Sequence, residues 1–348
     1  MPTSAASNRT GRAGLPARPH KTTTQRGTAA RVRQAGVSLT SGNDPAAPVL
    51  SRRRLPRRRG RRETTVGWLF VLPALAMYAA FVLLPFLLSI KYSFFRWDGI
   101  TPATWVGLKN YVTVFQVPDL IGTVFNAFKL VVFFSFVPVA LGLVVASVMH
   151  RTATGRFGAA ARTVLFLPQV IPLVAAGIIW GWLLALPGLI NQLLSAVGLH
   201  GITRAWLGDF DWALPAVGII GIWVLLGFCT VLLSTGMTNL DPALFESARI
   251  DGAGWSTEFF SLTVPLLRNE IGVCLTVTVI AALAAFDIVY VSTAGGPGNS
   301  TAVPGIQIYI LAFTEQRIGP ASALAVMLMA LVLVVILPIQ RLSREAAR

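Results

Sequence analysis

Long apolar stretches separated by short polar segments dominate the chain after residue 66. Each of six stretches contains about 20 residues nearly free of charge. A helix of that length crosses the roughly 30 Å hydrocarbon core of a bilayer. Backbone polar groups find no water in that core, so the stretches must be helical. The pattern predicts an all-α integral membrane protein with six transmembrane helices, at residues 67–90, 124–149, 163–185, 213–236, 271–293 and 319–340.

The segment before the first stretch, residues 1–62, is rich in Ser, Thr, Gly, Ala, Pro and Arg. Such a segment cannot bury enough apolar surface to offset the entropy of ordering it, so we expect a disordered tail. It ends in a basic block from Ser51 to Arg62, which fits either a nucleic-acid-binding arm or an anchor against anionic membrane lipids. Because an apolar stretch begins five residues later, the sequence favours the lipid anchor and no nucleic acid.

Basic residues are distributed unequally between the segments that connect the stretches. With the N-terminus inside, the inner segments hold 15 lysines and arginines of the tail and eight further arginines, whereas the outer loops hold five basic residues. Positive charge accumulates on the cytoplasmic side of membrane proteins. We therefore expect a multi-pass protein of the cell membrane with both termini cytoplasmic, built from a tail (1–62), a membrane domain (63–342) and a short C-terminal tail (343–348).

Composition narrows the function. The chain is 54% hydrophobic and 12% charged, whereas soluble domains carry about 25% charged residues. Both cysteines lie inside apolar stretches and no two histidines stand four residues apart, so we expect no metal site. No paired carboxylates or Ser/His arrangement indicates an enzyme. No lysine follows a glycine, so the chain lacks the Gly-Lys of a phosphate-binding loop.

One inner segment, residues 239–268, has the pattern of a compact structure. Asp241-Pro242 is an N-cap followed by proline at the first helical position. Asp251-Gly252 ends this helix, because glycine reaches positive φ at little cost. A second helix is expected over 256–262, stopped by Pro265. The first helix carries its apolar residues mainly on one side: Leu244, Phe245, Ala248 and Ile250. Two interpretations remain, a helix pair lying on the bilayer or a docking element for a cytoplasmic partner.

The run from Glu246 to Gly254, Glu-Ser-Ala-Arg-Ile-Asp-Gly-Ala-Gly, followed by Val264-Pro265-Leu-Leu, resembles the EAA loop of permease subunits of ATP-binding-cassette (ABC) importers. It departs from the usual pattern by two small changes, Ser247 for alanine and Val264 before the proline. The resemblance implies the ABC type I importer permease fold and a loop that couples the permease to an ATPase. It assigns this coupling to Glu246, Ser247, Ala248, Asp251, Gly252, Ala253, Gly254 and Pro265.

Further motifs resemble the sugar-uptake branch of this family, the relatives of the maltose permease. They are Phe166-Leu-Pro-Gln-Val-Ile-Pro172, Gly188-Leu-Ile-Asn191, Thr293-Ala-Gly-Gly-Pro297 and Gly319-Pro-Ala-Ser-Ala323. The resemblance covers residues 66–342 and implies that the chain forms half of a carbohydrate pathway. The implied partners are a second permease in a heterodimer, cytoplasmic ATPase subunits and an extracellular solute-binding protein. ATP would be bound by the ATPase subunits, and this chain would hold no cofactor.

A secondary transporter or channel without an ATPase is the alternative function. Such proteins often carry ionisable residues in mid-membrane or internal repeats, and here only Asp287 is a candidate. The polar residues considered for substrate contact are Asp287, Tyr290 and Asn126, and for each an interhelical hydrogen bond or an interface position is the other interpretation. The stretch before Thr293 is rich in alanine, which indicates that the partner permease supplies most of the contacts.

Overall fold

The computed structural model describes residues 61–152 and 155–345, so the predicted disordered tail up to Gly60 lies outside the described residues. Two short strands, β1 (Phe95–Arg96) and β2 (Thr104–Trp105), pair antiparallel. The remaining elements are helical. They are α1 (Arg61–Tyr78), α2 (Leu84–Tyr92), α3 (Lys109–Gln116), α4 (Pro118–Val131), α5 (Val137–Thr152), α6 (Gly155–Val170), α7 (Leu173–Leu183), α8 (Leu189–Ala196), α9 (Ala213–Thr238), α10 (Pro242–Ile250), α11 (Trp255–Glu258), α12 (Val264–Leu266), α13 (Arg268–Leu283), α14 (Asp287–Thr293), α15 (Pro304–Tyr309) and α16 (Ile318–Glu345). Short π-helical turns lie at Ala79–Leu83, Val132–Phe136, Phe259–Thr263 and Ile310–Thr314, and a 3₁₀ turn at His200–Ile202.

Four of the six predicted transmembrane stretches are continuous apolar helices long enough to cross a bilayer. Within the first two, π turns join α1 to α2 and α4 to α5. A π turn adds one residue to a helical turn, so the helix continues through it. The bounds of these spans lie within a few residues of the predicted ones: Phe70–Tyr92, Pro118–Thr152, Ala213–Thr238 and Ile318–Ser343.

The third and fifth predicted stretches are broken, so their prediction as single helices is wrong. The axes of α6 and α7 differ by 96° across Pro172, where the proline disfavours helical geometry in the residue before it. In the fifth stretch α13 ends at Leu283 and α14 begins at Asp287. Residues 284–286 contain neither proline nor glycine. Leu283 and Ile288, on either side of this break, are both buried in the same core, so packing overrides local propensity here.

Small residues bring the central helices into close contact. Gly227 of α9 lies so near the carbonyl oxygen of Leu165 in α6 that a Cβ would overlap it. A Cβ at Gly142 of α5 would come within 2.9 Å of the Cβ of Cys229 in α9. Helices in a membrane gain little from the hydrophobic effect, and close backbone approach through small residues drives their association instead. The helix α9 is therefore the centre against which α5 and α6 pack.

The inner loop shares a buried cluster with three of the membrane helices. This cluster contains Phe259 and Leu267 of the loop region together with residues of α5, α9 and α13. A second cluster joins α4, α7, α9, α13, α14 and α15, and a third joins α3, α4 and α16. The loop is thus packed against the membrane helices and is more than a connector between α9 and α13.

The first span differs from the others in its exposure. No residue in its apolar window is buried by the rest of the described chain, and Phe70 and Phe81 are 79% and 75% exposed. Its end, in α2, packs against α16 and β1. A helix that is apolar on all sides and buried on none requires lipid or another membrane protein around it.

Candidate functional site

The first helix of the inner loop begins as the sequence predicts. Asp241 is the N-cap of α10, and its carboxylate accepts a hydrogen bond from the Ala243 N–H at 2.9 Å. Pro242 occupies the first turn, where its missing N–H has no partner to lose. Both predictions are confirmed, so the start of the loop is determined locally.

The turn after α10 also follows the prediction. Gly252 has a φ of +82°, and its N–H donates to the Arg249 carbonyl oxygen at 3.1 Å. The Ala253 N–H donates to the Ala248 carbonyl oxygen at 2.9 Å. A Cβ at Gly252 would have no heavy atom of the described residues within 4 Å. The position therefore requires glycine for its backbone conformation and not for space.

The second helix of the loop is longer than predicted. It begins at Trp255 and passes through a π turn (259–263), in which the Val264 N–H donates to the carbonyl oxygen five residues back. The prediction that Pro265 stops this helix is wrong, because Pro265 lies inside α12. The wider π turn leaves room for a residue without an N–H. The chain then bends by 71° at Leu267 before α13.

Only part of the predicted apolar face of α10 is buried. Phe245 is 4% exposed, and its ring centroid lies 5.3 Å from that of His150 in α5. Leu244 and Ile250 are 42% and 86% exposed, so the apolar residues predicted mainly on one side of this helix are not buried together. At about 100° per residue, Ile250 lies roughly 140° around the helix from Phe245. The helix is anchored by one aromatic ring and turns apolar groups outward.

The residues assigned to coupling lie mostly on the surface of the loop. Ala248 and Ala253 are half-buried. The exposed ones are Glu246, Ser247, Asp251, Gly252, Gly254 and Pro265. Neither Glu246 nor Asp251 forms an ion pair with another described residue. Glu246, Ile250 and Asp251 form an exposed surface of α10 and the following turn, which we call the outward patch. It offers two carboxylates and an apolar side chain.

Sequence reasoning missed the role of Glu258. Glu258 is 3% exposed. Its Oε1 accepts hydrogen bonds from Arg249 Nε at 3.0 Å and from Arg151 Nη2 at 3.2 Å. The available signal was its position directly before Phe259, which is 7% exposed, because a carboxylate beside a buried aromatic ring requires cationic partners.

A cavity of about 500 Å³ lies between the two broken helices. Residues 169–173 bound it on one side, residues 284–288 on another, and Gly221 of α9 on a third. Its lining is mostly apolar. The Oε1 of Gln169 is buried without a hydrogen-bond partner among the described residues, and Asp287 is the one charged residue that lines the cavity. Apolar cavities with a few polar groups are the usual form of small-molecule sites.

The three polar candidates from the sequence occupy different places. Asp287 lines the cavity. The Tyr290 ring stacks at 5.1 Å on Phe286, a cavity residue, and meets the Tyr309 ring at 5.4 Å. Asn126 is 8% exposed and donates through Nδ2 to the Ala302 carbonyl oxygen at 3.0 Å. The structure therefore places Asp287 in the cavity lining and the Tyr290 ring behind it against Phe286, and it engages Asn126 in a hydrogen bond to a loop backbone.

Comparisons with known proteins agree on one family. Residues 138–347 match the model described as "Binding-protein-dependent transport system inner membrane component". The chain is 34% identical over 270 residues to the probable ABC transporter permease protein YurN of Bacillus subtilis (strain 168), covering 77% of this chain and 92% of that one. It is 34% identical over 312 residues to the diacetylchitobiose uptake system permease protein NgcF of Streptomyces coelicolor, covering 83% and 88%.

One similar structure is that of a bacterial alginate ABC transporter in complex with an alginate pentasaccharide-bound periplasmic protein. The TM-score is 0.69 at 23% identity, over 82% of this chain and 96% of the matched chain. At that identity the likeness concerns the fold alone, and it confirms the predicted importer permease fold. Within residues 61–152 and 155–345, no three His, Cys, Asp or Glu residues gather in a way that would hold a metal ion.

Proposed function

Because the chain belongs to the family of binding-protein-dependent transport system inner membrane components, we propose that it forms half of a carbohydrate pathway. As a member of this family it is a multi-pass permease subunit of an ABC importer and not an enzyme. We further propose that a separate ATPase subunit drives it through the loop at 239–268. The observation that carries the pathway is the cavity between the two broken helices. Interrupted helices are tolerated at membrane depth where they line a cavity.

The cavity lining supports a neutral or cationic carbohydrate. Flat aromatic rings pack against the apolar faces of sugar rings, and the stacked Phe286 and Tyr290 offer such a surface at 16° to one another. Gln169 Oε1 has no hydrogen-bond partner among the described residues, so it can accept a hydrogen bond from a sugar hydroxyl group. The carboxylate of Asp287 disfavours an acidic sugar. The named substrate of the relative from Streptomyces coelicolor, diacetylchitobiose, is a carbohydrate of this neutral class.

The outward patch supports docking to an ATPase. Glu246 and Asp251 present carboxylates to solvent, and Ile250 presents an apolar side chain that is 86% exposed. Such a mixture suits a groove with a basic rim. The chain contains no Gly-Lys step of a phosphate-binding loop, so ATP would be bound by the partner, and Gly252 would set the angle between the two loop helices.

The remaining proposed partners follow from the exposed surfaces and the family. The unburied first span would pack against a second permease subunit in a heterodimer and against lipid, and an extracellular solute-binding protein would deliver the substrate. We expect this chain to purify as an active assembly only when the second permease and the ATPase are co-expressed. Isolation of an active, monodisperse transporter from this chain alone would contradict the proposal.

We also propose that both termini are cytoplasmic. In sealed cells, an impermeant thiol reagent should label Thr104→Cys and Asp209→Cys but neither Arg156→Cys nor Trp255→Cys. The reason is the excess of basic residues in the segments that contain Arg156 and Trp255. Permeabilised cells provide the control, because all four positions should then react. Labelling of Arg156→Cys in sealed cells would reverse the orientation.

Filling the cavity should block the pathway. Ala284 lines the cavity and is itself exposed, so Ala284→Trp is expected to reduce uptake of neutral disaccharides about tenfold or more by occupying the substrate's space. Val334→Trp is the control, because Val334 is 67% exposed on α16 and is not among the residues that line the cavity. Uptake is compared at equal membrane levels of the two variants. Equal uptake by both would place the pathway elsewhere.

A further inference from the structure

One carboxylate holds three segments of the chain together at the inner loop. Glu258 of α11 accepts hydrogen bonds from Arg249 in the last turn of α10 and from Arg151 in the last turn of α5. Both guanidinium groups bind the same oxygen, at 3.0 and 3.2 Å. Arg151 and Glu258 are 107 residues apart in sequence. The contact therefore connects the loop to the end of the second span.

The balance of burial identifies Glu258 as the centre of this contact. Its side chain is 4% exposed, whereas those of Arg151 and Arg249 are 31% and 46% exposed. A carboxylate so buried is unfavourable unless charged groups bond to it, and both of these bonds are charge-assisted. Loss of Glu258 would release both arginines, whereas loss of Arg151 would release the second span and leave the bond within the loop.

Apolar packing supports the same junction. The Phe245 ring of α10 contacts His150, the residue before Arg151. Phe259, the residue after Glu258, is 7% exposed and shares a core cluster with Val139 of α5. The loop thus contacts α5 through the Phe245 ring and the Glu258 carboxylate, so the contact does not depend on a single flexible side chain.

The second span continues from this junction to the cavity. Through the π turn at its start, α5 is joined to Phe134, which lines the cavity. Along its length α5 touches α9 at Gly142, and Gly221 of α9 lines the cavity as well. A displacement applied at Arg151 would therefore reach two walls of the cavity through helices that are in close contact.

We propose that Glu258 is a positioning residue that clamps the inner loop to the second span, so that the two move as one body and carry displacement of the loop to the cavity. The clamp itself follows from the contacts of Glu258. Its use rests on the proposed function, because an ATPase must move the loop. Allosteric coupling of this kind requires that the connecting elements move together.

Hydrogen exchange of the full chain with its partner subunits in nanodiscs tests the clamp itself. Arg151→Gln should speed amide exchange over residues 242–263 about tenfold, as expected for losing a charge-assisted hydrogen bond, although Arg151 lies outside that segment. Arg151→Lys should restore part of the protection, and Arg156→Gln, an exposed arginine, is the control. The double variant Arg151→Gln/Glu258→Gln should exchange no faster than Glu258→Gln alone, because both act on one contact. Unchanged exchange in Arg151→Gln, or additive effects in the double variant, would overturn the proposal.

A second measurement separates the clamp from docking of the ATPase. Ala284→Cys places a thiol in the cavity, whereas the native Cys229 and Cys274 are buried. In the assembly, ATP with vanadate should change the maleimide labelling rate of this thiol, and adding Arg151→Gln should abolish the change while the ATPase stays bound. A persisting change in Arg151→Gln would overturn the clamp. Failure of the parent assembly to retain the ATPase would instead contradict the proposed function, and the same exchange comparison on the full chain as it purifies, in nanodiscs, would then decide the clamp alone.

Discussion

Gly227→Ala is expected to destabilise the folded chain by about 1–3 kcal/mol, the usual cost of overpacking a tight interface. A Cβ at this position would overlap the carbonyl oxygen of Leu165, and a backbone atom in the middle of α6 cannot rotate away. The helices α6 and α9 would have to separate. Because α6 ends at the cavity beside Gln169, we expect loss of transport along with loss of stability.

The matched control is Gly181→Ala in α7. No heavy atom of the described residues lies within 4 Å of a Cβ at Gly181, and replacing a helical glycine by alanine ordinarily stabilises a helix by about 0.5–1 kcal/mol. The two substitutions should therefore shift the thermal unfolding midpoint of the detergent-solubilised chain in opposite directions. A Gly227→Ala variant as stable as the parent would show that α6 and α9 are not packed as described.

Glu246→Lys is expected to weaken retention of the ATPase about tenfold, which corresponds to about 1.4 kcal/mol at a reversed rim charge. Glu246 is exposed and forms no ion pair within the described residues, so the change should leave the fold and the level of the chain in the membrane unaltered. Asp211→Lys makes the same charge change on an exposed residue of another loop and is the control. The measurement is co-purification of the ATPase at matched expression.

Gly252→Val tests the same loop through its geometry. The residue needs a φ of +82°, and a β-branched side chain there costs roughly 1–2 kcal/mol locally. Gly198→Val is the control, because Gly198 has a φ of +84° and equally open surroundings in a different loop. We expect transport to fall far more in Gly252→Val than in Gly198→Val. If Glu246→Lys and Gly252→Val both retain the ATPase and transport as the parent does, the loop is only a connector.

Local features of the fold could be predicted from the sequence. The cap formed by Asp241 and the positive φ of Gly252 depend on a few neighbouring residues, and both predictions are confirmed. The end of the second loop helix was misplaced because the π turn before Pro265 has no reliable signature in a single sequence. Periodicity placed Leu244, Phe245 and Ile250 mainly on one side of α10, but it could not show that only Phe245 would be buried, against α5.

The apolar pattern and one loop motif were enough to predict the class of the protein and its family. A bilayer admits only helices for chains of this kind, so the apolar stretches predict helical spans without knowledge of their contacts, and the loop motif at 246–254 identified the permease family. Three features could be seen only in the folded chain: the break between α13 and α14, the cavity between the two broken helices, and the bond between Glu258 and Arg151. Those features depend on tertiary contacts between residues that are more than a hundred positions apart in the sequence. The hydrophobic pattern predicts local helices but not which distant residues come into contact.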